Sequence, residues 1–170
     1  LLHKPAGVGF EAAGKLATQA SHTEGDDPAV RVLKRHFVRL TPLMPLDEEA
    51  SGLMVLSQDG RVWRRLSEDA DQIEQEFIVE VQGELAPYGL PRLCDGMLYQ
   101  GRALPRAKVS WQNEERLRFA IKAVRPGQLR HMCAQVGLEV LSIRRIRIGR
   151  IPLSKMPVGE WRYLPTTERF

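Results

Sequence analysis

Asp47 is the residue of this sequence best placed to carry out chemistry, and it lies in the acidic stretch 46–49. The apolar run 53–56 follows it and predicts a buried strand, which ends at the turn signal Asp59-Gly60. A carboxylate at the mouth of a buried strand is held by a rigid scaffold and remains accessible to a ligand, as a catalytic side chain must be. The alternative is that Asp47 only caps a turn, as Asp often does.

The elements that would position Asp47 are short strands with few helices between them. Strands are predicted over residues 1–5, 36–40, 53–56, 74–81, 106–111, 117–124 and 138–148, and helices over 61–66, 87–96 and 128–137. Residues 11–30 predict a polar loop without chemistry. This pattern favours an α+β fold with a mixed, mostly antiparallel sheet.

Composition narrows the classes of function. No apolar run approaches the roughly 20 residues that span a bilayer. Cys94 and Cys133 stand far apart, and none of the four histidines shows metal-ligand spacing with them, so we expect reduced thiols and no metal.

The net charge of +4 conceals a strong asymmetry. Residues 1–86 sum to −6 and residues 87–170 sum to +10. Such polarisation points to a polyanionic partner, with nucleic acid as the leading candidate. For any single arginine, the alternative of a solvated charged surface stays open.

Three segments together resemble one known family. Residues 46–60 resemble the catalytic motif of the pseudouridine synthases, most closely that of the RsuA/RluF type. The matching positions are Leu46, Asp47, Ser51, Gly52, Leu53, Leu56, Asp59 and Gly60. Residues 128–148 and 153–164 resemble the third motif and the closing segment of the same family, and Lys4-Pro5 with Gly7 resembles its opening. The resemblance covers nearly the full chain in the correct order.

The resemblance implies a pseudouridine synthase fold over residues 1–170, with a long mixed, mostly antiparallel sheet flanked by helices. It also implies an S4-type RNA-binding domain upstream, which a fragment that starts without Met inside a strand would lack. The implied activity is that of an RNA pseudouridine synthase, which isomerises a specific uridine of ribosomal RNA to pseudouridine. The closing segment resembles the RluF branch, which favours the large subunit. The resemblance further implies no metal and no nucleotide or redox cofactor. From the composition we expect no membrane and a cytoplasmic location, and we also expect a monomer.

The resemblance also assigns roles to residues. Asp47 would be the nucleophile, and Arg130 would pair with it and keep it ionised. Phe77 would stack on the target base or, alternatively, belong to the core, while Leu129 and Pro45 would contact the substrate. Phosphate-binding roles fall to six arginines: Arg61, Arg64, Arg65, Arg144, Arg145 and Arg147.

Four departures from the family pattern leave an alternative open. Pro45 and Gly127 stand where the family has Arg, Gln75 stands where it has Lys, and Phe77 stands where it has Tyr. The alternative is therefore an RNA-binding or ribosome-assembly protein with weakened or absent catalysis on the same fold. A glycoside hydrolase that used Glu48 and Glu49 is a third hypothesis, which the basic half of the chain disfavours.

Overall fold

A long mixed β-sheet forms the centre of the structure, and the computed structural model describes all residues 1–170. Ten strands are present: β1 (Leu2–Lys4), β2 (Thr41–Leu43), β3 (Ser51–Ser57), β4 (Gln75–Gly83), β5 (Leu98–Tyr99), β6 (Arg102–Ala103), β7 (Lys108–Trp111), β8 (Arg116–Ile121), β9 (Leu138–Ile148) and β10 (Ile151–Pro152). The main sheet has the order β1-β3-β9-β4-β8-β7, with β2 paired to β3 and β10 paired to β9. The pair β3–β9 is parallel and the other pairs are antiparallel. The predicted α+β class is confirmed.

Three short α-helices cover the sheet: α1 (Gly60–Glu68), α2 (Gly89–Cys94) and α3 (Gln128–Gln135). Helix α1 contains the predicted helix 61–66, and the Asp59 side chain caps it by accepting a hydrogen bond from the Arg61 amide at 2.8 Å. After α3 the chain turns at Gly137, whose φ of +85° is a left-handed conformation that favours glycine. None of the helices has the length and apolar character needed to cross a bilayer.

The predicted strand over residues 36–40 is wrong. A 3₁₀ turn occupies Lys34–Phe37, and β2 begins only at Thr41. The His36 amide donates to the Leu33 carbonyl at 2.9 Å, and Arg39 has a φ of +55°, so residues 36–40 do not form a continuous strand. The polar loop 11–30 is irregular, apart from a 3₁₀ turn at Ala13–Leu16.

Alternation along β4 separates a core face from a charged face, as its sequence predicts. Phe77 and Val79 are buried in a cluster with α3, whereas Glu76 lies on the opposite face, hydrogen-bonded to Arg118 and Arg147. Burial alone would raise the pKa of Glu76, but these hydrogen bonds outweigh it and hold the pKa below its usual range. A second core cluster lies under α1 and the segment after β9.

Candidate active site

Asp47 lies on the loop that joins β2 to β3. These strands are antiparallel, with Leu43 opposite Val55, so the intervening residues must reverse direction. Met44 turns the chain with a φ of +60°, and the Ala50 amide donates to the Asp47 carbonyl at 3.0 Å. The Asp47 side chain lies within this loop and is half-buried.

The carboxylate of Asp47 is held by a part of the chain that is distant in sequence. Its Oδ2 accepts a hydrogen bond from the Gly127 amide at 3.0 Å, and its Oδ1 has no protein donor. Gly127 is the N-cap of α3, where unpaired amides and the helix dipole favour a negative charge. The alternative that Asp47 merely caps its own turn is therefore wrong, since the side chain bonds across the fold.

Arg145 clamps the loop from beneath and is completely buried. Its guanidinium donates to the carbonyl oxygens of Met44 and Leu53, both at 2.8 Å. It also donates to the Pro45 carbonyl at 3.3 Å and to Gln75 Oε1 at 3.1 Å. Burial lowers its pKa to about 9, so the group stays protonated at neutral pH. The prediction that Arg145 binds RNA is wrong, because no part of the side chain reaches solvent.

The clamp requires β3 and β9 to approach closely. Gly52 pairs with Arg145 across these parallel strands and has a φ of +116°. A Cβ on Gly52 would fall against the backbone nitrogen and carbonyl of Arg145, so only glycine fits there.

A second buried cation fixes the other side of the loop. Lys4 is fully buried, and its Nζ donates to the carbonyl oxygens of Glu48 at 3.1 Å and Pro5 at 2.9 Å. The Gly7 amide also donates to the Glu48 carbonyl, at 2.8 Å. The Lys-Pro-x-Gly opening thus positions the residue next to Asp47.

Arg130 does not make the predicted ion pair with Asp47. Its Nη1 instead donates to the Val140 carbonyl on β9, at 3.3 Å. The donor to the Asp47 carboxylate is the Gly127 amide and not the Arg130 guanidinium that was predicted. The charge on Asp47 is thus met by a neutral donor at a helix end.

The three predicted substrate contacts fall into two environments. Phe77 is 2% exposed and Leu129 is 4% exposed, and both pack in the same core cluster as Leu46. The core alternative for Phe77 therefore describes this structure, in which no ring face is open for stacking. Pro45 is exposed beside Asp47.

The remaining predicted phosphate-binding arginines differ in whether a carboxylate already pairs with them. Arg64 and Arg144 are exposed and have no hydrogen-bond or ion-pair partner in the structure. Arg61 and Arg65 on α1 are exposed but pair with Asp59 and Asp69, which flank the helix. Such surface ion pairs contribute little free energy.

Arg147 is engaged on the charged face of the sheet. It lies between Glu74, at 2.6 Å, and Glu76, at 2.8 Å. Because both carboxylates neutralise it, the prediction that Arg147 holds phosphate is not supported.

Two contacts that organise the site escaped the sequence reasoning. The inward direction of the Arg145 side chain could have been predicted from strand alternation, because Arg145 lies two residues after the buried Ile143 and so shares its face. The Gly127–Asp47 bond joins positions 80 residues apart and has no local sequence signal.

Two other chemical features lie apart from Asp47. Burial raises the pKa of Cys133 to about 12, so it remains a thiol at neutral pH and is a poor nucleophile. A cavity of about 740 Å³ is lined by residues at the opposite end of β3, including Ser57, Tyr163 and Phe170, and does not include Asp47. No group of three or more His, Cys, Asp or Glu side chains is placed to hold a metal ion.

Comparisons with known proteins find relatives of this chain. The chain is 27% identical over 168 residues to the dual-specificity RNA pseudouridine synthase RluF of Escherichia coli K12, covering 98% of this chain and 54% of that protein. It is 29% identical to the ribosomal large subunit pseudouridine synthase E of Xanthomonas campestris, covering 69% of this chain and 73% of that protein. It is 30% identical to the ribosomal small subunit pseudouridine synthase A of Yersinia pestis, covering 72% and 54%. The chain spans about half the length of RluF.

The fold has a solved counterpart. A pseudouridylate synthase crystal structure superposes with a TM-score of 0.79 at 20% identity, covering 96% of this chain and 68% of that one. No family model matches the sequence. Sequence similarity and fold together identify the chain as a relative of the RsuA/RluF-type pseudouridine synthases, with the pseudouridine synthase fold.

Proposed function

We propose that this chain isomerises a uridine of ribosomal RNA to pseudouridine, with Asp47 as the nucleophile. The observation that carries the proposal is the Asp47 carboxylate. It stands on a loop clamped by Arg145, with one oxygen on the Gly127 amide and the other without a protein donor. The similarity to RluF over 98% of the chain supports this reading.

The chemistry requires one carboxylate and no net change in atoms. The uridine N1–C1′ bond breaks, the uracil turns, and a C5–C1′ bond forms while C5 loses a proton and N1 gains one. A nucleophilic Asp splits this into two easier steps. Its carboxylate bonds to C1′ as the N1–C1′ bond breaks, and this bond breaks in turn as C5 bonds to C1′. The target base must leave its stack to reach Asp47, so a loop or a splayed strand is the expected substrate.

RNA affinity would come from the free cations. Arg64 on α1 and Arg144 on β9 are exposed and unpaired, and Arg61 and Arg65 can exchange weak surface carboxylate contacts for phosphate. Such binding should fall steeply with salt. We propose that the protein acts as a monomer in the cytoplasm.

Two features favour a second candidate, an RNA-binding or assembly protein without catalysis on this fold. Arg130 donates to Val140 rather than to Asp47, and Phe77 offers no open ring face. Asp47 itself, and the clamp that holds its loop, favour the enzyme.

Mapping of pseudouridine in cellular ribosomal RNA, by carbodiimide and reverse transcription, separates the two candidates. Cells with the wild-type gene are compared with cells that carry Asp47→Asn or Glu48→Gln, the second being an exposed neighbouring acid. We expect one stop in the large-subunit RNA to vanish only in Asp47→Asn. A stop lost from small-subunit RNA would correct the subunit. An identical map in all three strains, with RNA binding intact, would leave the binding protein.

A further inference from the structure

Tyr99 contacts the same backbone segment as Asp47. It lies in the short strand β5 and is partly exposed. Its hydroxyl donates to the Pro126 carbonyl at 2.6 Å. No role falls to Tyr99 in the chemistry described above.

The two contacts share one peptide group. The Pro126 carbonyl accepts from Tyr99, and the Gly127 amide, which belongs to the same peptide, donates to Asp47 Oδ2 at 3.0 Å. The chain has no cis peptide bonds, so this carbonyl and this N–H point in opposite directions. Tyr99 and Asp47 therefore stand at the two ends of one hydrogen-bond chain that runs through the peptide.

Hydrogen bonds in such a chain strengthen one another. A donor on the carbonyl oxygen polarises the peptide and makes its N–H a better donor. The Tyr99 hydroxyl also fixes the orientation of the Pro126–Gly127 peptide plane. Gly127 has a φ of +75°, and glycine by itself restricts its backbone less than other residues do. Both effects act on the bond that holds the carboxylate of Asp47.

The local packing is built around this hydroxyl. A Cβ on Gly127 would lie 2.9 Å from the Tyr99 oxygen, so any larger residue at position 127 would displace the Tyr99 hydroxyl from its present place. The Tyr99 ring lies 5.0 Å from the His131 ring on α3, and His131 Nε2 donates to the Leu98 carbonyl at 3.0 Å. These contacts tie β5 to the helix that carries Gly127.

We propose that Tyr99 is a positioning residue, which aims and strengthens the Gly127 amide on the Asp47 carboxylate through the Pro126–Gly127 peptide. Its effect on rate rests on the proposed function. Its effect on the Gly127–Asp47 hydrogen bond does not, and can be measured without substrate.

The sequence offers a clean probe of that bond. Pro126-Gly127 is the only Pro-Gly pair in the chain, so labelling with ¹³C-carbonyl proline and ¹⁵N-glycine gives a single cross-peak for the Gly127 amide. The variant is Tyr99→Phe, which removes one oxygen. The matched control is Tyr88→Phe, because Tyr88 is 82% exposed and its hydroxyl has no partner. Asp47→Ala gives the position of the peak without the acceptor.

In Tyr99→Phe we expect the Gly127 proton to move upfield toward its position in Asp47→Ala, and its hydrogen exchange to accelerate about 5-fold, as loss of one ordinary hydrogen bond predicts. Isomerisation at saturating RNA should slow by a similar factor, with RNA affinity unchanged. Tyr88→Phe should leave the peak and the rate in place, and an unchanged ¹⁵N spectrum of the other glycine amides, recorded without the carbonyl selection, reports that the fold is intact.

An unmoved Gly127 peak in Tyr99→Phe, with Asp47→Ala shifted, would overturn the positioning role whatever the activity. A moved peak with an unchanged rate in an active wild-type enzyme would also overturn it. If the wild-type protein shows no isomerisation, the proposed function fails, whereas the peak still decides the hydrogen-bond chain.

Discussion

Replacement of Arg145 by Met should lower the free energy of unfolding by more than most single substitutions do. The substitution keeps an unbranched chain in the cavity but removes every donor to the carbonyl oxygens of Met44, Pro45 and Leu53 and to Gln75. Each hydrogen bond from a charged donor contributes about 1.5–3 kcal/mol, and each buried acceptor left without a partner costs about 1–3 kcal/mol. Relief from burying the cation offsets part of this loss.

The net loss should be roughly 3–5 kcal/mol, because four acceptors lose their donor and the relief from burying the cation offsets only part of that cost. That is a large share of the about 5–15 kcal/mol that stabilises an ordinary domain. Urea titration followed by circular dichroism measures it, because the midpoint shifts in proportion to the free energy of unfolding.

Arg144→Met is the matched control, since Arg144 is the preceding residue of β9 but is exposed and unpaired. It should change the free energy of unfolding by less than about 0.5 kcal/mol. An Arg145→Met protein as stable as Arg144→Met would refute the reasoning that the buried guanidinium holds the loop.

Three further predictions test other parts of the site. Gly52→Ala should destabilise the fold more than a surface substitution does, measured by thermal unfolding, because its Cβ meets the Arg145 backbone; an unchanged melting temperature would contradict the close approach. Glu76 has a lowered pKa, so its stabilisation is present above the ordinary value of 4.5 and is lost as pH falls through the folded value. Glu76→Gln should therefore flatten the acid limb of stability against pH, whereas the exposed, unpaired Glu114→Gln should leave it steep. Arg64→Gln should weaken RNA binding and reduce the slope of log affinity against log salt by about 0.7 if it meets one phosphate, and an unchanged slope would exclude that contact.

The strands were predictable where local pattern and burial coincide. Alternation in β4 indicated that Phe77 and Val79 share a face, and both are buried there. The helix predicted over 61–66 lies within α1, whereas Asp59, predicted only as part of a turn, is its N-cap. The false strand at 36–40 shows the limit of this reasoning, because the apolar and basic composition gave no sign of the positive φ at Arg39.

The sequence named the central residue of the candidate site but not the contacts that support it. The resemblance of residues 46–60 to the family motif singled out Asp47. The donor to its carboxylate is a backbone amide, which the residue types do not reveal. Arg145 was counted with its charged neighbours although strand alternation turns it inward to the loop. Charge composition therefore indicates a basic surface, but it does not show which of the arginines are exposed on that surface.

The most direct test of the central claim is the rate of pseudouridine formation by the purified protein in a single turnover on ribosomal RNA. Wild type, Asp47→Asn and Glu48→Gln are compared, with the RNA dissociation constant measured for each. We predict that Asp47→Asn loses at least about 1,000-fold in rate with its RNA affinity retained, as removal of a nucleophile requires, and that Glu48→Gln stays near wild type. Equal rates in Asp47→Asn and wild type would contradict the assignment of Asp47 as the catalytic carboxylate.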